Sequence, residues 1–406
     1  MGVEDRAIVV GAGPAGTAAA ITLAEAGREV LLLDKATFPR DKICGDGITT
    51  SALRSLEALG VEPSVMPSWQ RVDAFTIRAP RGVQREYRLP GDGMFGAVVP
   101  RHELDAALVD RAVKCGAQLV SGDEVTAVTN IADGIEVCTA SGAVHRGVAL
   151  VAADGMWSPL RKMLGHPLPG YRGDWYALRQ YATGVTGVAA RRLLISFEPD
   201  LLPGYFWSFP LPDGRVNMGF GIHVGDGAST KGLTARWREI LTRPHIADWL
   251  GPSTSPEATP QSWPIPCRPG RVPTSAGAAL FAGDAAAACD LLTGEGIGQA
   301  LLSGAWAARG IHDHWGDPAA ASAAYDRHFR REFEPDDLMC RALVSVMSHR
   351  RGAAYAVALS GLTEWTRDNF ARWMFEAYER GIALRPRRWR RGTLGRPGAF
   401  RSPPPT

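Results

Sequence analysis

The sequence predicts an α/β fold, α+β overall, in which a nucleotide-binding domain carries an inserted antiparallel β-sheet domain and precedes a C-terminal helical region. Three observations predict it. A strand, glycine turn, helix, strand and acid follow one another at the start of the chain. An aromatic-rich run of strands fills residues 171–272, and a short buried strand ending in Gly283-Asp284 then restores the α/β texture. The domain boundaries that follow are 1–70, 98–170 and 273–318 for the first domain and 71–97 with 171–272 for the sheet domain. Helices take 319–384, and a basic flexible tail takes 385–406.

The first element is the most informative. Arg6-Ala7-Ile8-Val9-Val10 is a β-branched run that ends in Gly11-Ala12-Gly13-Pro14-Ala15-Gly16. A helix-forming segment follows and stops at Gly27, and the run Val30-Leu31-Leu32-Leu33 ends in Asp34. This is the βαβ unit of Rossmann-like dinucleotide-binding domains. Gly11 makes the tight turn, Gly13 lets backbone N–H groups approach a pyrophosphate, and Gly16 lets the helix pack closely on the strands. The helix N-terminus faces the phosphate charge. Asp34 is placed to accept hydrogen bonds from a ribose diol.

Phe38–Gly47 then mixes charge, one thiol and small flexible positions, which suits either a ligand-touching loop or a polar surface loop. A helical pattern spans Thr50–Gly60, alternating strands punctuate 72–99, and Arg101 opens a helix to about Cys115. Strands are expected at Gln118–Ser121, Glu124–Asn130 and Gly134–Thr139. The run Gly147–Ala153 ends in Asp154-Gly155, polar chemistry at the carboxyl end of a buried strand, where open α/β sheets bind ligands. In 171–272, strands are expected at Trp175–Thr183, Arg192–Phe197, Tyr205–Leu211 and Arg215–His223, with turns at Pro212-Asp213-Gly214 and Gly225-Asp226-Gly227. The aromatics concentrated there suit an apolar ligand pocket or an ordinary sheet core. Asp284 after a buried strand offers a carboxylate to a hydroxyl, and the glycine-rich start of the helix after Leu292 offers N–H groups to an anionic atom. Residues 319–348 and 353–380 read as helices.

Composition bounds the class. An apolar fraction of 45% and a charged fraction of 21% are those of a globular protein without a membrane-spanning run. The six cysteines are scattered with no C-x-x-C pair, which argues against a disulfide framework or a metal site and fits a reducing cytosol. No secretory signal is expected, because charge and then the glycine turn interrupt the apolar N-terminus. The net charge of +3 hides eight arginines and no acid in residues 380–401, so basicity is local and no nucleic-acid surface is implied.

The N-terminal fingerprint, Asp154-Gly155 and Gly283-Asp284 agree in order and spacing. Together they resemble the flavoprotein superfamily typified by aromatic hydroxylases. Within it, Phe38–Gly47 (FPRDKICGDG), Tyr205–Pro210 (YFWSFP), Asn217–Gly221 (NMGFG) and Leu292–Ile297 (LTGEGI) resemble the geranylgeranyl reductase family over about residues 5–340. The resemblance implies non-covalently bound FAD. Gly11, Gly13 and Gly16 would meet its pyrophosphate, Asp34 its adenosine ribose, Arg40 and Arg101 its phosphate and ribityl region, and Asp284 its ribityl chain, with Ala15, Lys35 and Asp154 also expected to bind the cofactor. Gly294, Gly296 and Ile297 would face the flavin N1/O2 edge, where reduction places negative charge. Cys44 and Gly45 would border the isoalloxazine, and Tyr205, Trp207 and Phe209 would line the substrate cavity. Cys44 and Asp290 are the expected catalytic residues. Asp290-Leu291 departs from the Asn-Pro of many relatives, so the turn is expected to be looser and to carry an extra carboxylate.

The implied activity is reduction of an isoprenoid C=C bond by hydride from reduced flavin N5. The alternative is a flavin monooxygenase acting on an aromatic or polyketide-like metabolite. A halogenase is a third reading, but the first Trp and the Ile of its W-x-W-x-I-P signature are absent from Tyr205–Pro210. NAD(P)H or a ferredoxin-like protein would supply electrons. A cytoplasmic location is expected, with peripheral contact to an anionic membrane. That contact would use an amphipathic helix over 355–380 and the arginine cluster Arg385–Arg391.

Overall fold

The computed structural model describes residues 3–224 and 232–401. The expected turn Gly225-Asp226-Gly227 and the last part of the tail lie outside the described residues. The nucleotide-binding half is built on a six-stranded sheet. Its order is Ser275–Ala276, Ala279–Phe281, Ala149–Ala152, Arg6–Val10, Glu29–Asp34 and Gln118–Ser121. All neighbours are parallel except the first pair. Its inner strands are continuous apolar runs because helices cover them, as in parallel sheets generally. The helix Pro14–Glu25 lies close to the helix Ile297–Asp313, where a Cβ on Gly304 would come within 1.9 Å of Ala15 O. A small antiparallel sheet of Val125–Ile131, Gly134–Thr139 and Val144–Gly147 is appended to this half.

The second sheet has eight strands drawn from both 74–88 and 175–265. It is mixed and not purely antiparallel, because Leu193–Ser196 runs parallel to Ala74–Arg78. Two helices inside this segment, Leu233–Leu241 and Pro244–Leu250, replace the all-strand texture expected there. Their signal is helical spacing: Leu233, Trp237 and Ile240 face inward, and the Trp237 ring stacks on Phe206 and Phe220.

The C-terminal region departs most from expectation. After the helix Pro318–Met347, the single helix expected over 353–380 is two, Arg350–Ser360 and Glu364–Met374. The break falls at Gly361-Leu362-Thr363, where the Thr363 hydroxyl accepts from Thr366 N–H at 3.0 Å and restarts the helix. The segment 385–401 is held to the body and is not a free tail. Arg385 is buried, with Nη1 2.6 Å from Glu379, and Arg388 pairs with Glu332 at 2.8 Å. Ala399 pairs with Met94, and Phe400 N–H donates to Glu57 at 2.7 Å. The acids that the basic stretch lacks come from preceding helices and turns, so its charge pins it down.

Candidate functional site

A cavity of about 760 Å³ runs from the N-terminal glycine turn, across the carboxyl ends of the first sheet, to one face of the second sheet. Gly11 and Gly13 form one end. Gly11 has φ +98°, and a Cβ there would lie 2.2 Å from Ala153 O. Gly16 does not line the cavity; a Cβ on it would lie 1.7 Å from Gly11 O, so it sets the helix against the turn. The helix Pro14–Glu25 begins with no side-chain cap at Gly13, and Gly13 and Ala15 line the cavity beside Arg40. Its first-turn N–H groups therefore have no side-chain acceptor of their own and suit an anionic ligand.

Asp34 ends its strand at the cavity wall and accepts from Ala12 N–H at 2.6 Å and Ala36 N–H at 2.8 Å. A carboxylate has further lone pairs for a diol. Lys35 also borders the cavity but points to Glu124 at 3.3 Å. Arg40 meets the fully buried Asp105 at 3.0 Å. Arg101 holds the same carboxylate in two hydrogen bonds of 2.8 Å. Asp154 lines the cavity, and its oxygens accept from Ser158 at 2.8 Å and Leu160 N–H at 2.9 Å. These contacts fix the strand-to-helix turn and, as at Asp34, leave the carboxylate further lone pairs. Arg161, one turn on, reaches Ala285 O and fixes the Gly283-Asp284 turn, which presents Asp284 to the cavity.

In the middle of the cavity, Cys44 and Gly45 face Trp207 and Phe209; a Cβ on Gly45 would touch both rings at 3.5 Å. Burial pushes the Cys44 thiol up to about 11 despite Arg101 nearby, so it is neutral at physiological pH. The Trp207 Nε1–H donates to Asn217 at 3.1 Å, and Asn217 in turn donates to Cys44 O at 2.8 Å and Asp46 at 2.7 Å. Tyr181 also donates to Asp46. Burial raises the Asp46 carboxyl to about 6 against those two donors, and its second oxygen is buried without a partner. Tyr205 donates its hydroxyl to Thr293 O, tying the aromatic strand to the Leu292–Ile297 turn. Gly294, Gly296 and Ile297 line the cavity there.

Asp290 is not in the cavity. Its Oδ1 accepts from Leu292 N–H, Thr293 N–H and the Thr293 hydroxyl at 3.0, 2.8 and 2.7 Å. Its Oδ2 accepts from Arg380 Nε at 2.8 Å and from the Cys340 thiol at 3.3 Å. Burial alone would push this carboxyl up, but Arg380 and the Thr293 donors hold it below its usual range. A carboxylate so fully engaged has no proton to give. The expectations that Asp290 is catalytic and that the turn is loose are both corrected: Asp290 is what tightens the turn. Asp46, Asn217, Tyr181, Asp105 and Glu295 were missed. Asp46 and Asn217 sit inside the FPRDKICGDG and NMGFG stretches, which was the available signal.

These residues fit FAD. The uncapped helix start with Arg40 would hold the pyrophosphate, Asp34 the ribose, and Cys44–Gly45 with Gly294–Ile297 the isoalloxazine, whose bound form supplies hydride chemistry. The fold and cavity define a flavin-dependent oxidoreductase. The sequence model of the FAD binding domain matches residues 4–301. The chain is 33% identical over 359 residues to menaquinone reductase of Mycolicibacterium smegmatis, covering 82% of this chain and 83% of that protein. It is 31% identical over 310 residues to digeranylgeranylglycerophospholipid reductase 2 of Methanopyrus kandleri, covering 74% and 75%. The crystal structure of a geranylgeranyl bacteriochlorophyll reductase-like protein from Thermoplasma acidophilum superposes with TM-score 0.78 at 21% identity, covering 92% and 96%. The chain belongs to the FAD-dependent oxidoreductase family that includes menaquinone reductase and the digeranylgeranylglycerophospholipid reductases.

Proposed function

We propose that this enzyme saturates C=C bonds in the prenyl chain of a quinone or lipid, with hydride delivered from reduced flavin. The observation that carries this reading is the apolar wall opposite the flavin region. Leu193, Ile195, Phe209, Met374 and Phe375 line it, continuous with Trp207 and Gly45. A prenyl chain offers few polar handles, so burial at about 25 cal/mol per Å² must supply most of its affinity. The names of the relatives agree with that chemistry. Electrons come from NAD(P)H that binds transiently or from a ferredoxin-like protein. The test is FAD-loaded enzyme with a polyprenyl quinone or a geranylgeranylated lipid, reduced anaerobically with dithionite and read by mass spectrometry. The expected product gains two hydrogens per saturated bond. A product formed only in air and carrying an added oxygen would replace this reading with the monooxygenase.

The substrate's tail belongs in a bilayer, and the proposal includes a cytoplasmic enzyme docked at an anionic membrane surface. Among the described residues no helix is long and apolar enough to cross a membrane. The helices 350–360 and 364–374 pack Ala353, Val357 and Ala371 inward, and Met374 and Phe375 at the end of the second helix line the cavity. On the outside, Tyr355, Leu359, Leu362 and Trp365 are between 63% and 72% exposed around the break, with Arg85 against Gly361. Trp389, Arg387, Arg390 and Arg391 are exposed further along. Co-sedimentation with anionic but not neutral vesicles is expected. The double substitution Leu362→Ser/Trp365→Ser and, separately, Arg390→Ser/Arg391→Ser identify which surface carries it. Equal recovery in solution with both vesicle types refutes the docking.

A further inference from the structure

On the flavin side of the cavity lies a cluster of three carboxylates and one cation, with Asp290 and Arg380 buried and Glu295 and Glu376 half-buried. Glu295 lines the main cavity and accepts from Gly298 N–H at 2.8 Å. Glu376 lies behind it and accepts from the Thr49 hydroxyl at 2.8 Å and the Gln299 amide at 2.9 Å, with Arg380 Nη2 at 3.4 Å. Asp290 takes the direct contact with Arg380 at 2.8 Å. Glu376, Asp290, Gln299 and Arg380 also line a second cavity of about 840 Å³, between the helices 50–58 and 297–313 and the C-terminal segment. The cluster therefore separates two cavities, with Glu295 on one side and Glu376 on the other.

One cation cannot neutralise three carboxylates, Asp290 buried and Glu295 and Glu376 half-buried, and Asp290 has the strongest claim on it. A proton must then reside on Glu295 or Glu376. Burial first, and then the Glu376 charge, push the Glu295 carboxyl up to about 8, with Asp290 adding to the effect. Tyr205, Cys44 and Cys289 also face Glu295, and burial raises all three, so they are neutral neighbours. A second, independent observation concerns Gln299, whose Oε1 is buried with no hydrogen-bond partner. A half-turn of that amide presents this oxygen to a protonated Glu376, so the site accommodates the proton on either carboxyl.

We propose that Glu295 and Glu376 form a one-proton relay between the two cavities, and that Glu295 is the acid that protonates the alkene. This rests on the reductase reading. One alkene carbon gains hydride and its electron pair as a new C–H bond, and the reduced flavin is oxidised. The π pair takes the Glu295 proton onto the other carbon, the O–H bond breaks, and a carboxylate remains. Glu376 then passes a proton from the second cavity to Glu295.

Two measurements test it. In apoprotein, the folded pair keeps its proton to about pH 8, whereas an unfolded glutamate loses it near 4.5. Wild-type stability therefore falls as pH rises across that window, and Glu295→Gln removes the fall. The difference in melting temperature between variant and wild type grows from pH 5 to pH 8. Glu376→Gln leaves the cavity wall in place and carries the same stability test should Glu295→Gln not fold. In FAD-loaded enzyme, Glu295→Gln keeps FAD content and dithionite reduction but loses about a hundredfold in single-turnover alkene reduction. Glu376→Gln moves the alkaline limb of that rate to lower pH, because the charge that raised Glu295 is gone. A pH-independent stability difference overturns the shared proton, and an undiminished rate in Glu295→Gln overturns the acid. Wild-type enzyme that saturates no prenyl bond overturns the reductase reading and the acid role with it, while the apoprotein profile still decides the relay.

Discussion

Removing Arg380 exposes how much the flavin side of the site depends on one buried cation. Arg380 is 2% exposed, and its guanidinium donates to Asp290 at 2.8 Å and to Trp373 O at 3.2 Å and lies 5.0 Å from the centre of the Trp373 ring. Arg380→Met keeps the volume and deletes the charge, leaving Asp290 and Glu376 without their cation. Breaking a buried pair from one side costs about 3–5 kcal/mol, mostly the penalty on the abandoned charge. Adding Asp290→Asn removes that penalty while its side-chain oxygen still accepts from Leu292, Thr293 N–H and the Thr293 hydroxyl. The double variant is therefore more stable than the sum of the single losses, by a coupling of about 1–3 kcal/mol. Urea unfolding of the three apoproteins, followed by tryptophan fluorescence, gives the cycle. FAD affinity falls in Arg380→Met because the 292–297 turn loses its anchor, and it recovers in part in the double variant. A loss under 1 kcal/mol in Arg380→Met, or strict additivity, would refute the reasoning.

Three more expectations concern single positions. Gly11→Ala abolishes FAD retention on desalting, because φ +98° and a backbone oxygen 2.2 Å from the new Cβ both oppose it; normal flavin content in the variant contradicts this. Asp46→Asn becomes more stable relative to wild type as pH rises from 4 to 8. The wild-type carboxyl holds its proton to about 6 when folded but only to about 3.8 when unfolded, so ionisation costs the folded state, and melting curves across that range check the sign. Glu332 behaves oppositely. Burial would push it up, but Arg388 and Arg331 hold it down near 2, so the stability it lends is present above pH 4.5 and lost as pH falls toward 2. Proteolysis of the C-terminal segment should rise in that acid window in wild type but not in Glu332→Gln, which has already lost the pair.

What the sequence made legible was local. Arg6–Asp34 could be read because strand, turn, helix and acid lie within one short stretch. Gln118–Ser121, Gly134–Thr139 and Trp175–Thr183 carry β-branched or aromatic residues between glycines, and the strands fall at those positions. The misread elements depend on partners distant in sequence. Asp290 looked like a spare carboxylate because nothing near it announces Arg380. Residues 385–401 looked free because their acids, Glu332 and Glu379, belong to earlier elements. Glu295 was visible inside LTGEGI, but its raised proton affinity comes from burial and then from Glu376, and only the fold supplies either.

The order of the first sheet limits how this protein can be taken apart. Its central strand, Arg6–Val10, is flanked by Ala149–Ala152 and Glu29–Asp34, and Ala279–Phe281 lies one position beyond. Arg54 in the second helix donates to Ala377 O and Pro397 O. A fragment cut after the first fold-recognisable third of the chain would expose a raw sheet edge and lack both the Asp284 turn and its C-terminal clamp. The nucleotide-binding half is therefore not a portable module. Recombination between relatives should succeed only where donor and acceptor exchange loops within one sheet, and chimeras that swap whole sequence-contiguous blocks should be recovered as aggregates.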